Sequence, residues 1–229
     1  MMGTVPDRFR VALTMDSEFP DRPTEPGVTA RILDVFAEEG VTATVFIQGR
    51  WAEAEPDLAR RIAAEGHLVA NHSHHHARLT LMTAAGIVRD VLAAERAILA
   101  ATGRNPRPWF RCPFGAGAQA GRVVDRLDAI GYVDVGWHVD GRDWAGSSVA
   151  RLEARLVHGT VTHGDGAVVL LHGWPRVTPA ALAGAIGRLR ARGATFVGID
   201  ALDSLPGRRN AGTAAQGGAG RGGITGVRP

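Results

Sequence analysis

The six residues from Asn71 to His76 contain four of the nine histidines in the chain. His72 and His76 are four positions apart, a spacing that places two side chains on one face of a helical turn. Two imidazoles that converge in this way are good ligands for a divalent metal ion. A solvated polar loop, or packed imidazoles without a ligand, explains the same residues, because short histidine tracts are only compositional signals. This stretch alone leaves these interpretations open.

Further residues that could do chemistry also follow short apolar runs: Asp16-Ser17-Glu18, Arg111, Asp140 with Asp143, and His172. Two imidazoles and one carboxylate form a common ligand set for catalytic zinc, which leaves one position open for water. A second carboxylate can act as a base, and a separate histidine can protonate a leaving group. The combination suits hydrolysis of an amide or an ester. No phosphate-binding loop, dinucleotide fingerprint or Gly-x-Ser-x-Gly elbow occurs in the chain.

Short apolar strands alternate with helices about seven times along the chain. We expect strands at Arg8–Met15, Thr42–Ile47, His67–Ala70, Arg107–Phe110, Tyr132–Val139, Ala167–Leu171 and Thr195–Ile199. We expect helices at Thr29–Glu39, Trp51–Glu65 with an interruption at Pro56, Thr83–Ala101, Arg122–Ile130, Val149–Val161 and Pro179–Ala191. Strict alternation predicts a parallel sheet with helices outside it, here an α/β barrel that is closed or nearly closed. The polar residues then meet at the carboxyl ends of the strands, where active sites of such barrels lie.

Composition limits the other functions. The chain has 229 residues, 45% of them hydrophobic, and all 26 basic residues are arginine. The absence of lysine excludes a Schiff-base lysine and a P-loop lysine within this chain. The net charge is +3, but four arginines and no acid lie in residues 206–229, so residues 1–205 carry −1. This near-neutral body does not favour a nucleic-acid partner, and no apolar run is long enough to predict a membrane span.

The domain boundary is predicted from a change in composition. Residues 1–205 form one folded domain, whereas residues 206–229 are rich in Gly, Ala and Arg and are predicted to be a disordered tail. Cys112 is the single cysteine and Met1–Asp7 has no signal-peptide pattern, so a cytoplasmic location is expected. Oligomeric state is not predicted by any feature.

The motifs resemble those of the polysaccharide deacetylases, carbohydrate esterases with the NodB homology domain and a deformed (β/α)7-type barrel. The resemblance covers residues 8–205 and keeps the motif order. The family's Thr-Phe-Asp-Asp-Gly, His-Ser/Thr-x-x-His, Arg-x-Pro-x-Gly, Asp-x-x-Asp-Trp and Leu-x-His motifs resemble Thr14–Glu18, His72–His76, Arg111–Gly115, Asp140–Trp144 and Leu170–His172.

The resemblance implies a role for each matched residue. Asp16 would be the general base, held ionised by Arg111, and His72 and His76 would be metal ligands. Asp143 would orient His172, the acid that protonates the leaving group. The acyl pocket would be lined by Phe114, Trp144 and Leu170, with the Phe114 N–H towards the oxyanion.

The first motif departs from the family at Ser17, where the family has a second, metal-binding aspartate. We propose Glu18 as the third ligand, with Asp21 as a reserve and a weakly binding or metal-free site as the remaining case. His74 and His75 are interpreted as packing or supporting groups. Trp137 is expected in the core, and Trp174 is a candidate wall of the cleft.

The sequence therefore predicts a metal-dependent hydrolase that removes an acetyl group from an N-acetylated sugar or a related small amide. Its substrate would be a small molecule or an oligosaccharide. The divalent metal would be zinc, with cobalt or nickel as alternatives. Two other hypotheses remain: a cyclic amide or ureide hydrolase on the same fold, and a non-catalytic carbohydrate-binding relative. Retention of Asp16, Arg111, Asp143 and His172 together argues against the non-catalytic hypothesis.

Overall fold

A computed structural model describes residues 8–18 and 25–207 of the protein. The strands are β1 Arg10–Ser17, β2 Thr44–Ile47, β3 Leu68–Asn71, β4 Trp109–Phe110, β5 Val133–Asp134, β6 Val139–Asp140, β7 Ala167–His172 and β8 Thr195–Phe196. The helices are α1 Val28–Glu38, α2 Gly49–Ala54, α3 Pro56–Ala64, α4 Ala84–Thr102, α5 Gly121–Ala129, α6 Val149–His163 and α7 Val177–Arg190. In the described part of the chain, none of these helices is long and apolar enough to cross a membrane.

All strand pairs are parallel, and the sheet order is β5-β4-β3-β2-β1-β7-β6, with β8 paired to the start of β1. The curled sheet and its outer helices form the predicted deformed barrel. The two ends of the sheet, β5 and β6, follow each other in the chain and are joined by residues 135–138. The described residues include no β5–β6 ladder, so the sheet is open at this seam between β5 and β6.

Side-chain alternation in β1 explains how the strand serves both the core and the site. Val11, Leu13 and Met15 belong to the large apolar cluster shared with the outer helices. Ala12 belongs instead to the smaller cluster inside the barrel. Because successive side chains point to opposite faces of a strand, Asp16 continues the inward-facing series.

The structure confirms the alternation of elements and corrects three of the predicted bounds. The expected Trp51–Glu65 helix is two helices, because Pro56 begins α3 as a new first turn. The expected Tyr132–Val139 strand is broken into β5 and β6, since the Gly136 N–H donates to the Pro206 carbonyl outside the sheet. The expected last strand, Thr195–Ile199, ends at Phe196 and gives way to a 3₁₀ turn.

Two predicted features fall largely outside the description. The tail, residues 206–229, lies outside the described residues from residue 208 onward. The reserve ligand Asp21 also lies outside them.

Candidate metal centre and active site

A cavity of about 560 Å³ opens where the strands end, on the carboxyl side of the barrel. It is lined by acidic, imidazole and aromatic side chains: Asp16, Glu18, His72, His76, Cys112, Phe114, Trp137, Asp140, Trp144, Leu170, His172 and Trp174. Most of the residues that the motifs single out are in this set. Two others, Arg111 and Asp143, are buried behind the wall and act through their neighbours.

The Asp16 carboxylate is fixed by a buried arginine. The Arg111 Nη1 donates to Asp16 Oδ1 at 2.7 Å, and both residues are at most 3% exposed. The same guanidinium donates from Nε to the Val135 carbonyl at 3.0 Å and from Nη2 to the Gly136 carbonyl at 3.1 Å. Arg111 thus links the base candidate to the seam between β5 and β6. The buried carboxylate thus has a charged hydrogen-bond partner that fixes its orientation.

His72 and His76 converge, but they do not lie on a helical turn as their spacing predicts. The segment after β3 is irregular, with left-handed backbone at Ser73 (φ 64°) and His76 (φ 54°). The Asn71 side chain accepts from the Ser73 N–H, and the Ser73 hydroxyl accepts from the His76 N–H. This local network holds two non-glycine residues in a strained backbone conformation. It brings Nε2 of His72 and Nε2 of His76 within 3.1 Å of each other. The sequence signal for it, an Asn-x-Ser context typical of Asx turns, was not used in the prediction.

The orientation of His72 is set from behind. Its Nδ1 lies 2.9 Å from the Arg111 carbonyl oxygen, which can only accept, so Nδ1 carries the proton. Nε2 is therefore the nitrogen directed at the cavity acids; burial disfavours the charged ring, but Asp16 and Glu18 raise the pKa of His72, so a bound ion would displace a proton from Nε2. The neighbouring His75 turns away and pairs with the buried Asp90, with Nδ1 2.6 Å from Oδ1. His75 therefore supports the loop and does not enter the site.

Glu18 occupies the place that the third ligand needs. Its Oε2 is 2.5 Å from His76 Nε2 and 3.3 Å from His72 Nε2, and the residue is 5% exposed. Ser17 points to the other face of β1, where its fully buried hydroxyl lies near the position that a side chain on Gly173 would take. Because β1 stays extended through Ser17, residues 16 and 18 share one face, which explains why Glu18 and not Ser17 meets the histidines.

These three residues fit a divalent ion. One ligand atom from each of Glu18, His72 and His76 lies within 4.8 Å of the other two, and all three residues are buried. Two imidazole nitrogens and a carboxylate oxygen are the donor types of catalytic zinc, whose ligand atoms on a tetrahedral ion are roughly 3.4 Å apart. Burial raises the pKa of the Glu18 carboxyl, but hydrogen bonds to the two histidines outweigh it and hold that pKa well below its usual range. Burial lowers the pKa of His76, which favours the neutral, ligating imidazole.

Asp143 holds His172, which also lines the cavity. The His172 Nδ1 is 2.8 Å from Asp143 Oδ1, and the His172 N–H donates to Oδ2 at 2.8 Å. The Thr178 hydroxyl also donates to Oδ2, at 2.7 Å, and was not identified from the sequence because nothing local marks it. Burial opposes the charged imidazole, yet the hydrogen bond and charge of Asp143 prevail and raise the pKa of His172 to about 9. The ring is therefore protonated at neutral pH and can deliver a proton.

Aromatic side chains form the mouth of the cavity. Phe114 and Trp144 are about half exposed, and the Phe114 ring packs edge-on against His76 with centroids 4.5 Å apart. Leu170 is buried in the wall, so all three predicted pocket residues face the cavity. Trp174 also lines it, as expected, and Trp137 both packs against the inner apolar cluster, as expected, and lines the cavity. Cys112 is buried, and burial together with Asp134 raises the pKa of its thiol, which makes it an unreactive packing residue.

Comparison with known proteins agrees with this geometry. Residues 4–135 match the family model of polysaccharide deacetylases. The chain is 32% identical over 192 residues to the peptidoglycan-N-acetylmuramic acid deacetylase PdaA of Bacillus subtilis, covering 84% of this chain and 70% of that protein. It is also 32% identical over 193 residues to the peptidoglycan-N-acetylglucosamine deacetylase PgdA of Listeria monocytogenes, covering 84% of this chain but only 38% of that longer protein.

A solved structure of the same fold is described as a family 4 carbohydrate esterase pseudoenzyme from Bacillus anthracis. It superposes with a TM-score of 0.76 at 28% identity and covers 86% of this chain and 66% of the other. Because this fold also occurs in a pseudoenzyme, the fold alone does not establish turnover. The side chains in the cavity are what distinguish an enzyme from a pseudoenzyme on this fold.

Proposed function

The chain belongs to the polysaccharide deacetylase family, and from this premise we propose that it is a metal-dependent hydrolase that removes an acetyl group from an N-acetylated sugar. The single observation that carries the proposal is the coexistence, in one cavity, of a three-ligand cluster, a clamped carboxylate and a protonated histidine. Metal-assisted amide hydrolysis uses all three, whereas sugar binding needs none of them.

Glu18, His72 and His76 would hold the ion. Two imidazole nitrogens and one carboxylate oxygen are a ligand set typical of catalytic zinc. Members of the family depend on a divalent metal. When bound, such an ion acidifies water and polarises the carbonyl group of the substrate. Cobalt and nickel tolerate the same donors and are tested beside zinc.

Asp16 would take a proton from the attacking water. Its Oδ1 is occupied by Arg111, and its Oδ2 lies 3.5 Å from His72 Nε2, so Oδ2 is the oxygen next to the ligand cluster. The hydrogen bond from Arg111 restrains the rotation of the carboxylate. The oxygen of the water forms a bond to the acetyl carbon, and the base holds the proton that is lost.

His172 would donate a proton to the nitrogen as the carbon–nitrogen bond breaks. The products are acetate and a free amine. Asp143 maintains the charge and the orientation of His172 before the proton leaves. The side chains of Phe114, Trp144 and Leu170 shape the space for the acetyl methyl group and for a sugar ring.

The departure at Ser17 is the specific reason to keep a second substrate class. We infer from it that a cyclic amide or ureide could replace the acetylated sugar while the hydrolytic chemistry stays the same. Both substrates present an amide carbonyl and a nitrogen leaving group to the ligand cluster, Asp16 and His172.

The test combines metal analysis with product release. Purified protein, loaded in turn with Zn²⁺, Co²⁺ and Ni²⁺, is assayed for acetate release from N-acetylated chitooligosaccharides and for ring opening of allantoin. The expected result is acetate release with bound zinc, and Asp16→Asn should abolish it while the metal content stays the same. Ring opening without acetate release would favour the second class. Metal-loaded protein that turns over neither substrate would overturn the catalytic proposal and favour a binding function.

A further inference from the structure

The indole of Trp174 contacts the carboxylate that faces the two histidines. Trp174 Nε1 donates to Glu18 Oε1 at 3.3 Å, while Oε2 of the same carboxylate faces His72 and His76. The two oxygens of Glu18 therefore have different neighbours. One is directed at the tryptophan, and the other is directed at the ligand cluster.

The backbone that presents this indole is tied to β1. The Gly173 N–H donates to the Asp16 carbonyl at 2.9 Å, and the Thr29 hydroxyl donates to the Gly173 carbonyl at 2.8 Å. A side chain at residue 173 would lie 3.3 Å from the Thr29 hydroxyl oxygen, so the close approach is one that glycine favours. Hydrogen bonds at both the N–H and the carbonyl of Gly173 thus fix the position of Trp174 relative to residues 16 and 18.

The shift of the ligand from residue 17 to residue 18 gives this contact its significance. Glutamate has one more rotatable bond than the aspartate of the family motif, so an unrestrained Glu18 can turn either oxygen, or both, towards an ion. A hydrogen bond to one oxygen removes part of that freedom before the ion arrives. Groups that orient metal ligands in this way change metal affinity without touching the metal.

We propose that Trp174 is a positioning residue for Glu18: its N–H engages Oε1 and leaves Oε2 as the oxygen presented to the ion. This inference rests on the metal site of the proposed function. It assigns to Trp174 a role in the ligand set in addition to its place in the cavity wall, and it makes Trp174 a partner of the Ser17–Glu18 departure.

The experiment compares Trp174→Phe with Trp144→Phe, which removes an indole from the same cavity. The dissociation constant for Zn²⁺ is measured by competition with a chromophoric chelator. We expect Trp174→Phe to bind zinc about 10- to 100-fold more weakly than the parent, the usual effect of losing such a group, and Trp144→Phe to stay within about twofold. The visible spectrum of the Co²⁺-loaded protein should change in Trp174→Phe alone, because Glu18 is then free to offer a second oxygen.

Thr29→Val supplies an independent variant in case Trp174→Phe does not fold. It removes the hydroxyl that anchors Gly173 and should weaken zinc binding by a few fold. Equal zinc affinity and equal cobalt spectra in the parent and Trp174→Phe would overturn the role of Trp174 while leaving the metal site intact. If Trp174→Phe does not fold, parent-like affinity in Thr29→Val has the same consequence. Failure of the parent to bind any of the ions would instead refute the metal site itself.

Discussion

Replacing Asp143 by Asn tests whether His172 is the proton donor. In the parent, the pKa of His172 is raised to about 9, so hydrolysis should decline as the pH rises through about 9. Without the negative charge of Asp143, burial is opposed only by the weaker attractions of Asp16 and Glu18, so the pKa of His172 should fall towards its ordinary value of about 6.5. At pH 8 a group of pKa 9 is roughly 90% protonated, whereas one of pKa 6.5 is about 3% protonated. At pH 8 the rate of the variant should thus be about 30-fold lower than that of the parent, from the change in protonation alone.

The hydrogen bonds around Asp143 add a second loss that does not depend on pH. Its Oδ2 accepts from both the His172 N–H and the Thr178 hydroxyl, and its Oδ1 faces the imidazole. An asparagine NH₂ must replace one of these two acceptors, so it opposes either the backbone N–H or the protonated Nδ1. This conflict should lower the rate at every pH, by an amount that the acidic end of the profile measures separately.

The assay is the rate of acetate release between about pH 5 and pH 10 at saturating metal. Asp140→Asn is the matched control, because Asp140 is a carboxylate of the same motif that lines the cavity and accepts from the Arg142 N–H. Whatever the rate of the control, its alkaline limb should remain near pH 9. If Asp143→Asn shows an alkaline limb at the same pH as the parent, the assignment of His172 as the acid is refuted.

Three further substitutions test the ligand set and the clamp. Glu18→Ala should reduce bound zinc by at least tenfold in metal analysis, and retention of full metal content would exclude Glu18 as a ligand. Adding Ser17→Asp to that variant should not restore the metal, because residue 17 faces away from the cavity; recovery of zinc would show that β1 can turn there. Arg111→Met should lower the free energy of unfolding by about 3–5 kcal/mol in urea titrations, since it leaves Asp16 buried without its cation, and parent-like stability would contradict a clamp.

The order of the elements was predictable because the signals are local. Apolar runs of strand length, amphipathic helices and terminal glycines each depend on a few neighbouring residues, and they gave the correct class and most bounds. The seam was not predictable in the same way. Residues 132–139 are apolar enough for one strand, and the contacts that divide them include hydrogen bonds of Gly136 to the distant Pro206 carbonyl and of His138 to Val168. Hydrogen bonds across 30 to 70 positions leave no periodicity in a sequence.

The membership of the site was predictable for a related reason: each candidate follows a strand, and parallel strands end on one face. The geometry within the site was not. The four-residue spacing of His72 and His76 suggested a helix, whereas Asn71 and Ser73 impose left-handed turns that achieve the same convergence. Thr178 shows the same limit, because its hydroxyl, near the start of α7, donates to a carboxylate 35 positions earlier in the chain.

The choice between Ser17 and Glu18 depends on where β1 stops. If the strand ended at Asp16, residue 17 would begin a turn and could face the histidines. Here β1 continues through Ser17 in register with Ile47, so alternation turns residue 17 outward and residue 18 inward. A carboxylate one position later can then place its oxygen 2.5 Å from His76. A third ligand requires a carboxylate oxygen close to Nε2 of His72 and His76. One additional extended residue in β1, together with the longer side chain of Glu18, places such an oxygen there. A serine in the second position of the motif is consequently no sign of a lost metal site when a glutamate follows it on an extended strand.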